Sequence, residues 1–432
     1  MRIYVGPTDS LKGEVRAPGS KNYTSRYIWL SALTPGESTV ASPALNDDAR
    51  ALIECCRELG AKITEADGLL RIGGIQSLPK GRLTLNPGNG GLILRLLLAY
   101  GLLLPETEYV TSYPESLGKR PQGDLLTALR ELGAEVHDQN GCLPIVIYGQ
   151  KPVAKREVMV SGRVSSQFAT ALLFVAPLLG GLTVRITEGL ASRPPLATTI
   201  KVMAEAGVQV EADWEDLIFT VPAGSYQPRS YRTPGDYPAA SALLSAAVLL
   251  PSEVVLSNLA LNDVQGERAV IPYLQKMGAD LTADPQGIRI QGGRPLQAAD
   301  FPGDQATDAV LSMAVVAALA EGTSRFRKIA NLRWKESDRI SDFARELRKV
   351  GVQVEEFPEE LRITGEPKGY KGGVVIDAHH DHRIIMAFSA LALRTQEGLE
   401  IDGAEHVSKS YPTFFADLAA LGATVKVLDG HS

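Results

Sequence analysis

A short segment built on glycine recurs six times along the 432-residue chain at an almost constant interval. In each copy, Ala or Val follows the glycine, and a polar residue and an aliphatic residue come next. The six glycines are Gly60, Gly133, Gly207, Gly278, Gly351 and Gly422. Their spacings are 73, 74, 71, 73 and 71 residues. A fixed period of this length is typical of repeated supersecondary units, so the chain is expected to contain six copies of one unit.

Each copy predicts two kinds of helix and a strand. The glycine ends an amphipathic segment, such as Asp47 to Leu59, in which apolar residues recur at i, i+3 and i+4. Glycine suits this position because the residue after a helix often needs a positive φ. A second segment in each unit, such as Ala309 to Ala320, is apolar nearly all round and predicts a buried helix. The fold class is therefore α/β, with two domains of three units each and a boundary near Arg229 to Asp236.

Composition excludes several classes of protein. The net charge of −6 argues against a nucleic-acid binder that works through overall charge. The apolar stretches are about half the roughly 20 residues that a membrane span needs, so no membrane partner is expected. The three cysteines, Cys55, Cys56 and Cys142, form no paired framework, which favours a reduced, cytoplasmic location.

Polar residues stand at the predicted start of every buried helix. These starts are Lys21-Asn22, Asn89 to Gly91, Ser165 to Gln167, Asp236, Asp308 and Asp381 to Arg383. Free N–H groups and the helix dipole make such positions suitable for phosphates and carboxylates. Capping alone explains most of the Ser, Asn and Asp residues. Lys21, Arg26, Arg95 and Arg383 are poor caps, and they favour a site for a multiply anionic ligand.

Two charged tracts allow a functional or a simpler interpretation. The run from Asn331 to Arg339 holds three cations and two carboxylates, which is compatible with a solvated surface. Its position between a strand and a helix favours function. The His379 to His382 tract resembles a metal site, but the adjacent Arg383 would repel a cation, and no metal is expected. Nucleotide-binding and nucleophile-elbow motifs are missing from the sequence.

The ordered motifs resemble the family of 3-phosphoshikimate 1-carboxyvinyltransferases, also called EPSP synthases. The match begins at Pro18-Gly19-Ser20-Lys21 with Arg26, and it covers nearly the whole chain in order. It continues through Asn46 to Asp48, Gly88 to Gly91 with Arg95, Arg120-Pro121, Ser165 to Gln167, Gly235-Asp236, Asp308, Asn331 to Arg339, Asp381 to Arg383 and Lys409 to Pro412. Lys-Glu-x-Asp-Arg at 335–339 is the most specific of these motifs.

The resemblance implies an inside-out α/β barrel of two domains, each with three βαβαββ units. It places the first domain at 19–231 and the second at 1–18 and 232–432, with the active site in the cleft between them. It implies an enzyme of the shikimate pathway that transfers the enolpyruvyl group of phosphoenolpyruvate to the 5-hydroxyl of shikimate 3-phosphate. It also implies that this enzyme is a target of glyphosate. The implied partners are these two small molecules, without a metal or organic cofactor, and the implied state is a monomer.

The resemblance also implies roles for individual residues. Asp308 would be the base near the 5-hydroxyl, and Lys21 and Glu336 would transfer protons. Phosphoenolpyruvate would be bound by Lys21, Gly91, Arg120, Gln167, Arg339, Arg383 and Lys409. Shikimate 3-phosphate would be bound by Lys21, Asn22, Arg26, Ser165, Ser166, Gln167, Ser192, Asp308, Asn331 and Lys335.

Three positions depart from the family's usual residues: Asn22 replaces Ser, Leu92 replaces Thr or Ser, and Pro195 replaces Tyr. The altered acceptor side leaves open an enolpyruvyl transferase for UDP-N-acetylglucosamine or for another phosphorylated alcohol. The UDP-N-acetylglucosamine family typically has a loop cysteine where this chain has Glu115. A non-catalytic binder of phosphorylated sugars would have lost the acid and base, which are present here.

Overall fold

The computed structural model describes residues 1–149, 153 and 155–428, and the chain divides into two compact units. The continuous unit is Gly19–Thr233, and the discontinuous unit is Met1–Pro18 together with the chain from Pro234 onward. The chain returns to the discontinuous unit at Pro234. The reason is that Ser230–Arg232 pairs in parallel with the strand Glu37–Ala41, and the Thr233 N–H donates to the Ala41 carbonyl at 3.0 Å.

The described residues form six four-stranded sheets, three in each unit. Every sheet has the same pattern, which is one parallel strand pair followed by two antiparallel pairs. The N-terminal strand Arg2–Val5 lies between Leu399–Asp402 and Val425–Leu428 in the last sheet. The predicted α/β class with six equivalent repeats is confirmed.

Among its described residues, the continuous unit contains three sheets and six α-helices. Its strands are Glu37–Ala41, Lys62–Ala66, Leu69–Gly73, Leu83–Leu85, Glu106–Tyr109, Glu135–Gln139, Cys142–Tyr148, Glu157–Gly162, Gly181–Leu190, Glu211–Asp213, Ile218–Pro222 and Ser230–Arg232. Its helices are Lys21–Leu33, Asp47–Glu58, Gly91–Tyr100, Gly123–Glu131, Gln167–Val175 and Pro194–Glu205, with 3-10 turns at Gly101–Leu103 and Leu117–Lys119.

The discontinuous unit repeats this organisation. Its strands are Arg2–Val5, Leu11–Arg16, Ser252–Ser257, Asp280–Asp284, Gly287–Gln291, Phe301–Pro302, Thr323–Arg327, Gln353–Glu356, Glu360–Thr364, Val374–Asp377, Leu399–Asp402 and Val425–Leu428. Its helices are Tyr237–Leu249, Val270–Lys276, Val310–Ala318, Ser341–Val350, His382–Ala392 and Phe414–Ala420. Its 3-10 turns are Gly266–Ala269, Thr307–Ala309, Ala330–Trp334 and Ala404–Lys409.

The recurring glycine adopts a left-handed backbone conformation in every copy. The six φ values lie between 87° and 107°, a region that residues with a Cβ rarely occupy. Each glycine therefore reverses the chain after an amphipathic helix, as the period predicted.

The two helix types differ in burial as their sequences predict. All residues of Tyr237–Leu249 and Val310–Ala318 are buried, whereas Asp47–Glu58 buries one face only. Each unit has its own apolar core around its buried helices, and each fully buried Leu, Ile or Phe contributes about 1.5–3 kcal/mol. No helix among the described residues is both long and apolar enough to cross a membrane.

Candidate active site

The starts of three buried helices in the discontinuous unit carry carboxylates. Asp308 lies in the turn Thr307–Ala309, immediately before the helix Val310–Ala318. Asp381 is the N-cap of His382–Ala392 and accepts from the Arg383 N–H at 2.8 Å. Asp236 caps Tyr237–Leu249 in the same way. Capping therefore explains Asp236 and part of the role of Asp381, while Asp308 directs its side chain elsewhere.

Arg339 lies at the centre of a buried cluster of charges and is only 1% exposed. Its Nε and Nη2 donate to Asp381 at 2.7 and 3.1 Å. Its Nη1 donates to Asp308 and its Nη2 to Glu336, both at 2.9 Å. Burial by itself would lower the pKa of Arg339, but the negative charges of Asp381, Glu336 and Asp308 outweigh burial and raise it. The guanidinium is therefore a permanent cation that orders three carboxylates.

Two further cations complete this cluster. The Lys409 Nζ lies 2.9 Å from Glu336 Oε1, and both side chains are almost fully buried. The Arg383 Nη2 lies 3.8 Å from Asp308 Oδ2. Among the residues that the structure describes, the buried Nε and Nη1 of Arg383 have no hydrogen-bond partner. Because a buried N–H without an acceptor is unfavourable, these two donors favour an incoming oxyanion.

We call these six residues the Arg339 cluster. They are Asp308, Glu336, Arg339, Asp381, Arg383 and Lys409. Five of the six were predicted as site residues, and the sixth, Asp381, was predicted only as part of a motif.

The charged run before the helix Ser341–Val350 divides into structural and cluster residues. Asp338 Oδ1 accepts from the backbone N–H groups of Ile340 and Ser341, both at 3.1 Å. Arg333 pairs with Asp338 at 2.9 Å and so stabilises this cap. The solvated-surface interpretation is therefore wrong for Glu336 and Arg339, which are buried in the cluster.

Asn331 and Lys335 lie on the same segment as Glu336. Asn331 is buried within the turn Ala330–Trp334, and Lys335 follows the turn and is half-buried. The Arg339 N–H donates to the Leu332 carbonyl at 3.2 Å. This hydrogen bond holds the segment against Arg339. Both predicted residues therefore lie on a segment that is attached to the cluster.

In the continuous unit, Lys21 is the first residue of the helix Lys21–Leu33. Its Nζ lies 3.2 Å from Asp48 Oδ2, and the two side chains are 16% and 10% exposed. Asp48 is the second residue of the helix Asp47–Glu58. It matched a family motif in the sequence but was not predicted as a site residue. The carboxylate holds the ammonium group at the start of a buried helix, where the dipole disfavours a cation.

Arg26 has a largely structural set of contacts. Its Nε donates to Thr199 Oγ1 at 3.1 Å, its Nη1 to the Asn22 carbonyl at 3.0 Å and its Nη2 to the Pro195 carbonyl at 2.9 Å. Burial lowers its pKa to about 10. Arg26 thus connects two helices of the continuous unit, and only its remaining N–H groups are available for the predicted ligand contact.

Arg95 organises the start of the helix Gln167–Val175. Its Nη1 donates to Gln167 Oε1 at 2.5 Å and to Ser165 Oγ at 3.1 Å, and its Nε donates to Gln122 at 3.0 Å. The guanidinium also lies over the ring of Phe168. The partner that the sequence required for Arg95 is therefore a set of side chains, two of which were predicted to bind substrate.

Gly91 brings three predicted phosphoenolpyruvate residues together in the continuous unit. A Cβ at Gly91 would lie 3.0 Å from Arg120 Nη1 and 3.8 Å from Gln167 Oε1. A side chain here would therefore push Arg120 away, and glycine permits the close approach. Arg120 is 8% exposed and donates to Ser116 Oγ at 3.2 Å. Leu92 is half-buried and packs against the core of the unit.

The predicted serines occupy the starts of two helices. Ser165 Oγ accepts from the Gln167 N–H at 3.2 Å, and Ser166 is the buried N-cap residue of Gln167–Val175. Ser192 is buried two residues before the helix Pro194–Glu205. The structure shows their positions and leaves their ligand roles as predictions.

The histidine tract has protein partners. His379 Nε2 lies 3.3 Å from Glu346 Oε1, and His380 Nδ1 lies 2.7 Å from His406 Nε2. Within the described part of the chain, no group of three or more His, Cys, Asp or Glu residues is arranged to hold a metal ion.

Comparisons with known proteins place this fold and site in a family. The family model for EPSP synthase (3-phosphoshikimate 1-carboxyvinyltransferase) matches residues 5–418. The chain is 44% identical over 423 residues to the 3-phosphoshikimate 1-carboxyvinyltransferase of Deinococcus radiodurans, covering 98% of this chain and 96% of that protein. It is 37% identical over 429 residues to the enzyme of the same name from Burkholderia pseudomallei, covering 98% and 95%.

Solved structures show the same architecture. EPSP synthase from Acinetobacter baumannii matches with a TM-score of 0.83 at 27% identity, covering 99% of this chain and 100% of that chain. The enolpyruvyl transferase NikO from Streptomyces tendae matches with a TM-score of 0.79 at 16% identity, covering 98% of each chain. The second match supports the fold alone.

Fold and sequence together define the class, which is that of the enolpyruvyl transferases. Within this class, the chain belongs to the EPSP synthase family. It is an enzyme, a 3-phosphoshikimate 1-carboxyvinyltransferase of the shikimate pathway, which supplies aromatic amino acid biosynthesis. The resemblance inferred from the sequence motifs is confirmed.

Proposed function

We propose that the Arg339 cluster and the polar helix starts of the continuous unit act on the same two substrates, phosphoenolpyruvate and shikimate 3-phosphate. The enolpyruvyl group passes from the first substrate to the 5-hydroxyl of the second, and phosphate is released. The observation that carries this proposal is Arg383: its buried Nε and Nη1 have no acceptor among the described residues, and its Nη2 lies 3.8 Å from Asp308 Oδ2. The reaction needs a base and a binding site for an oxyanion at one place, and this arrangement supplies both.

Phosphoenolpyruvate carries a phosphate and a carboxylate close together, and the proposal assigns it most of the cations. Arginine suits its phosphate and carboxylate because the planar fork pairs with two oxygens at once. The residues proposed to bind it are Lys21, Gly91, Arg120, Gln167, Arg339, Arg383 and Lys409. Arg339 donates four hydrogen bonds to carboxylates, so its contribution is mainly the fixed charge and the orientation of Asp308 and Glu336.

Shikimate 3-phosphate is assigned three cations together with hydroxyl, amide and carboxylate groups. The residues proposed to bind it are Lys21, Asn22, Arg26, Ser165, Ser166, Gln167, Ser192, Asp308, Asn331 and Lys335. Ser165 and Ser166 at the start of Gln167–Val175 combine hydroxyl groups with the positive end of a buried helix, which suits a phosphate.

Proton transfer follows from the carboxylates of the cluster. Asp308 removes the proton of the 5-hydroxyl while that oxygen forms a bond to C2 of phosphoenolpyruvate. Glu336 or Lys21 gives a proton to the methylene carbon, which produces a tetrahedral intermediate. The same group removes a proton from the new methyl as the C2–O bond to phosphate breaks. The cations stabilise the charge that develops on the departing phosphate.

The proposal extends to assembly and location. Each of the two proposed sets of substrate-binding residues includes residues of both units. We propose a monomer that acts in the cytoplasm. The support is that each unit has its own core and that all three cysteines are free thiols.

The reaction is tested by phosphate release from the purified enzyme. Release is expected when phosphoenolpyruvate and shikimate 3-phosphate are both supplied, and not with either alone, because the C2–O bond to phosphate breaks only after the acceptor has added. Release with UDP-N-acetylglucosamine and none with shikimate 3-phosphate would overturn the acceptor assignment.

Leu92 provides a second test, on inhibition by glyphosate. Because Leu92 follows Gly91, and Gly91 lies against Arg120, its branched side chain is expected to displace the wall of the phosphoenolpyruvate site. The substitution Leu92→Thr should lower the inhibition constant for glyphosate, measured in competition with phosphoenolpyruvate. Leu92→Ile keeps a branched aliphatic side chain and should leave inhibition unchanged. Equal inhibition of the parent enzyme and Leu92→Thr contradicts this expectation.

A further inference from the structure

Glu267 contacts the backbone of the proposed base and was not predicted from the sequence. It lies in the turn Gly266–Ala269, and its Oε1 accepts a hydrogen bond from the Asp308 N–H at 3.2 Å. This contact joins the turn to Thr307–Ala309, the segment that carries Asp308. Two carboxylates therefore approach each other at the start of one buried helix, an arrangement that stability alone disfavours.

Burial and the surrounding charges have opposing effects on the pKa of Glu267. Burial of its carboxyl group and the negative charge of Asp308 raise the pKa of Glu267 to about 7, although the Asp308 N–H and the charge of Arg383 act to lower it. A carboxyl group with a pKa near neutrality beside a proposed base is typical of functional sites.

Asp308 needs a nearby negative charge if it is to act as a base. It is held by Arg339 at 2.9 Å and approached by Arg383 at 3.8 Å. Two nearby guanidinium groups favour the ionised carboxylate and so make it a weaker proton acceptor. A second carboxylate offsets them, because like charges disfavour the ionised form and make the group more basic.

We propose that Glu267 is a positioning residue for the enolpyruvyl transfer: it fixes Asp308 through the backbone, and its charge keeps the Asp308 carboxylate basic beside Arg339 and Arg383. The inference rests on the proposed function, in which Asp308 takes the proton of the 5-hydroxyl. Glu267 does not touch the substrate in this proposal.

A purely structural role for Glu267 would be to satisfy the Asp308 N–H. That role needs an acceptor oxygen and no charge, so glutamine would serve equally well. The two interpretations therefore differ in the effect of removing the charge alone.

The titratable groups on the neighbouring elements limit the explanation of any pH effect. Asp308 comes from the turn Thr307–Ala309, and Arg383 comes from the helix His382–Ala392. On the helix Tyr237–Leu249, Tyr237 donates its hydroxyl to the Ala260 carbonyl, and its raised pKa of about 12 excludes titration near neutrality. Arg268, on the same turn as Glu267, is exposed.

The experiment compares Glu267→Gln with the parent enzyme in steady-state assays between pH 5.5 and 9. In Glu267→Gln, kcat is expected to fall about tenfold, as a misplaced or weakened base requires, with little change in either KM. The parent's kcat should rise through an inflection near pH 7 as Glu267 ionises, and this inflection should be lost in Glu267→Gln. Glu267→Asp keeps the charge and should keep the inflection.

Thermal unfolding gives a readout that does not depend on activity. The raised pKa means that ionised Glu267 destabilises the folded protein, so stability is lost as the pH rises from about 4.5 to about 7. Glu267→Gln should therefore melt at a higher temperature than the parent at pH 8 and at a similar temperature at pH 5. Glu253→Gln is the matched control, because Glu253 is exposed on the strand Ser252–Ser257; it should change neither kcat nor the melting temperature.

Asp308→Asn separates failure of this inference from failure of the proposed function. If Asp308→Asn keeps parental turnover, the base assignment is wrong and the inference falls with it. If Asp308→Asn is inactive but Glu267→Gln keeps the parental kcat and pH profile, only the role of Glu267 is overturned. In the double variant, Glu267→Gln should add no further loss to that of Asp308→Asn, because it acts through the same group.

Discussion

Replacing Asp308 with asparagine is expected to reduce kcat by about a hundredfold or more, since a positioned general base contributes about 10²–10⁴-fold. Asparagine keeps the shape of the side chain and can still accept from Arg339, which now donates at 2.9 Å. It cannot take the proton of the 5-hydroxyl. The fold should be preserved, because Arg339 retains Asp381 and Glu336 as buried partners. The measurement is single-turnover formation of product, with thermal unfolding as the check on folding.

A matched control lies close by in the sequence. Asp300 forms an exposed ion pair with Arg327 at 3.3 Å, and exposed pairs contribute little to stability. The substitution Asp300→Asn should therefore leave kcat unchanged. Near-parental turnover in a well-folded Asp308→Asn variant would contradict the assignment of Asp308 as the base.

The scaffold was predictable from the sequence because its determinants are local and occur six times. One glycine per unit ends a helix with a positive φ, and alternation of apolar and polar residues marks the strands that follow. A weak signal at one position becomes strong when the same pattern returns after about 72 residues. The start residues of the helices were less predictable: the helix after the charged run begins only at Ser341, and Asp338 accepts from its first N–H groups while lying outside it.

The pairings inside the site follow a rule that the sequence did not reveal. In four of the six repeats, a residue at the start of the exposed helix forms a hydrogen bond with a residue at the start of the buried helix of the same repeat. The pairs are Lys21 with Asp48, Arg95 with Gln122, Tyr237 with Gln265 and Asp308 with Arg339, and their members are 27, 27, 28 and 31 residues apart. The offset is nearly constant, but the residue types differ in every pair. A search of the sequence by residue type therefore misses these pairs, whereas the geometry of one repeat reveals where they lie.

Hydrogen bonds between different repeats do not follow this rule. Glu267 and Asp308 are 41 residues apart and belong to successive repeats. Arg26 meets Thr199 and Pro195, which are 173 and 169 residues away in the chain. The charge of Arg26 at a helix start predicted a ligand contact, and its internal partners could be known only once the helices were placed side by side.

Arg339 is expected to have the largest effect on stability of any residue in the cluster. The substitution Arg339→Met keeps an unbranched side chain but leaves Asp381, Glu336 and Asp308 without the cation that they share. Removing one partner of a buried ion pair typically costs about 3–5 kcal/mol, because the remaining charge is desolvated and uncompensated. We expect a decrease of this size in the free energy of unfolding at pH 8, measured by urea denaturation, together with loss of turnover.

The pH dependence distinguishes uncompensated charge from lost packing. In Arg339→Met, the three carboxylates bind protons more readily in the folded state, since burial without a cation disfavours their ionised form. The deficit in stability should therefore be largest at high pH and shrink as the pH is lowered toward 5. Arg325→Met is the matched control: Arg325 makes a bidentate pair with Glu360 at 2.9 and 3.1 Å, but the Arg325 side chain is exposed and Glu360 keeps Arg362 as a second partner at 2.6 Å, so its loss should have a much smaller effect. A deficit in Arg339→Met that does not change between pH 8 and pH 5 would show that the side chain acts through packing, and the electrostatic account of the cluster would then be wrong.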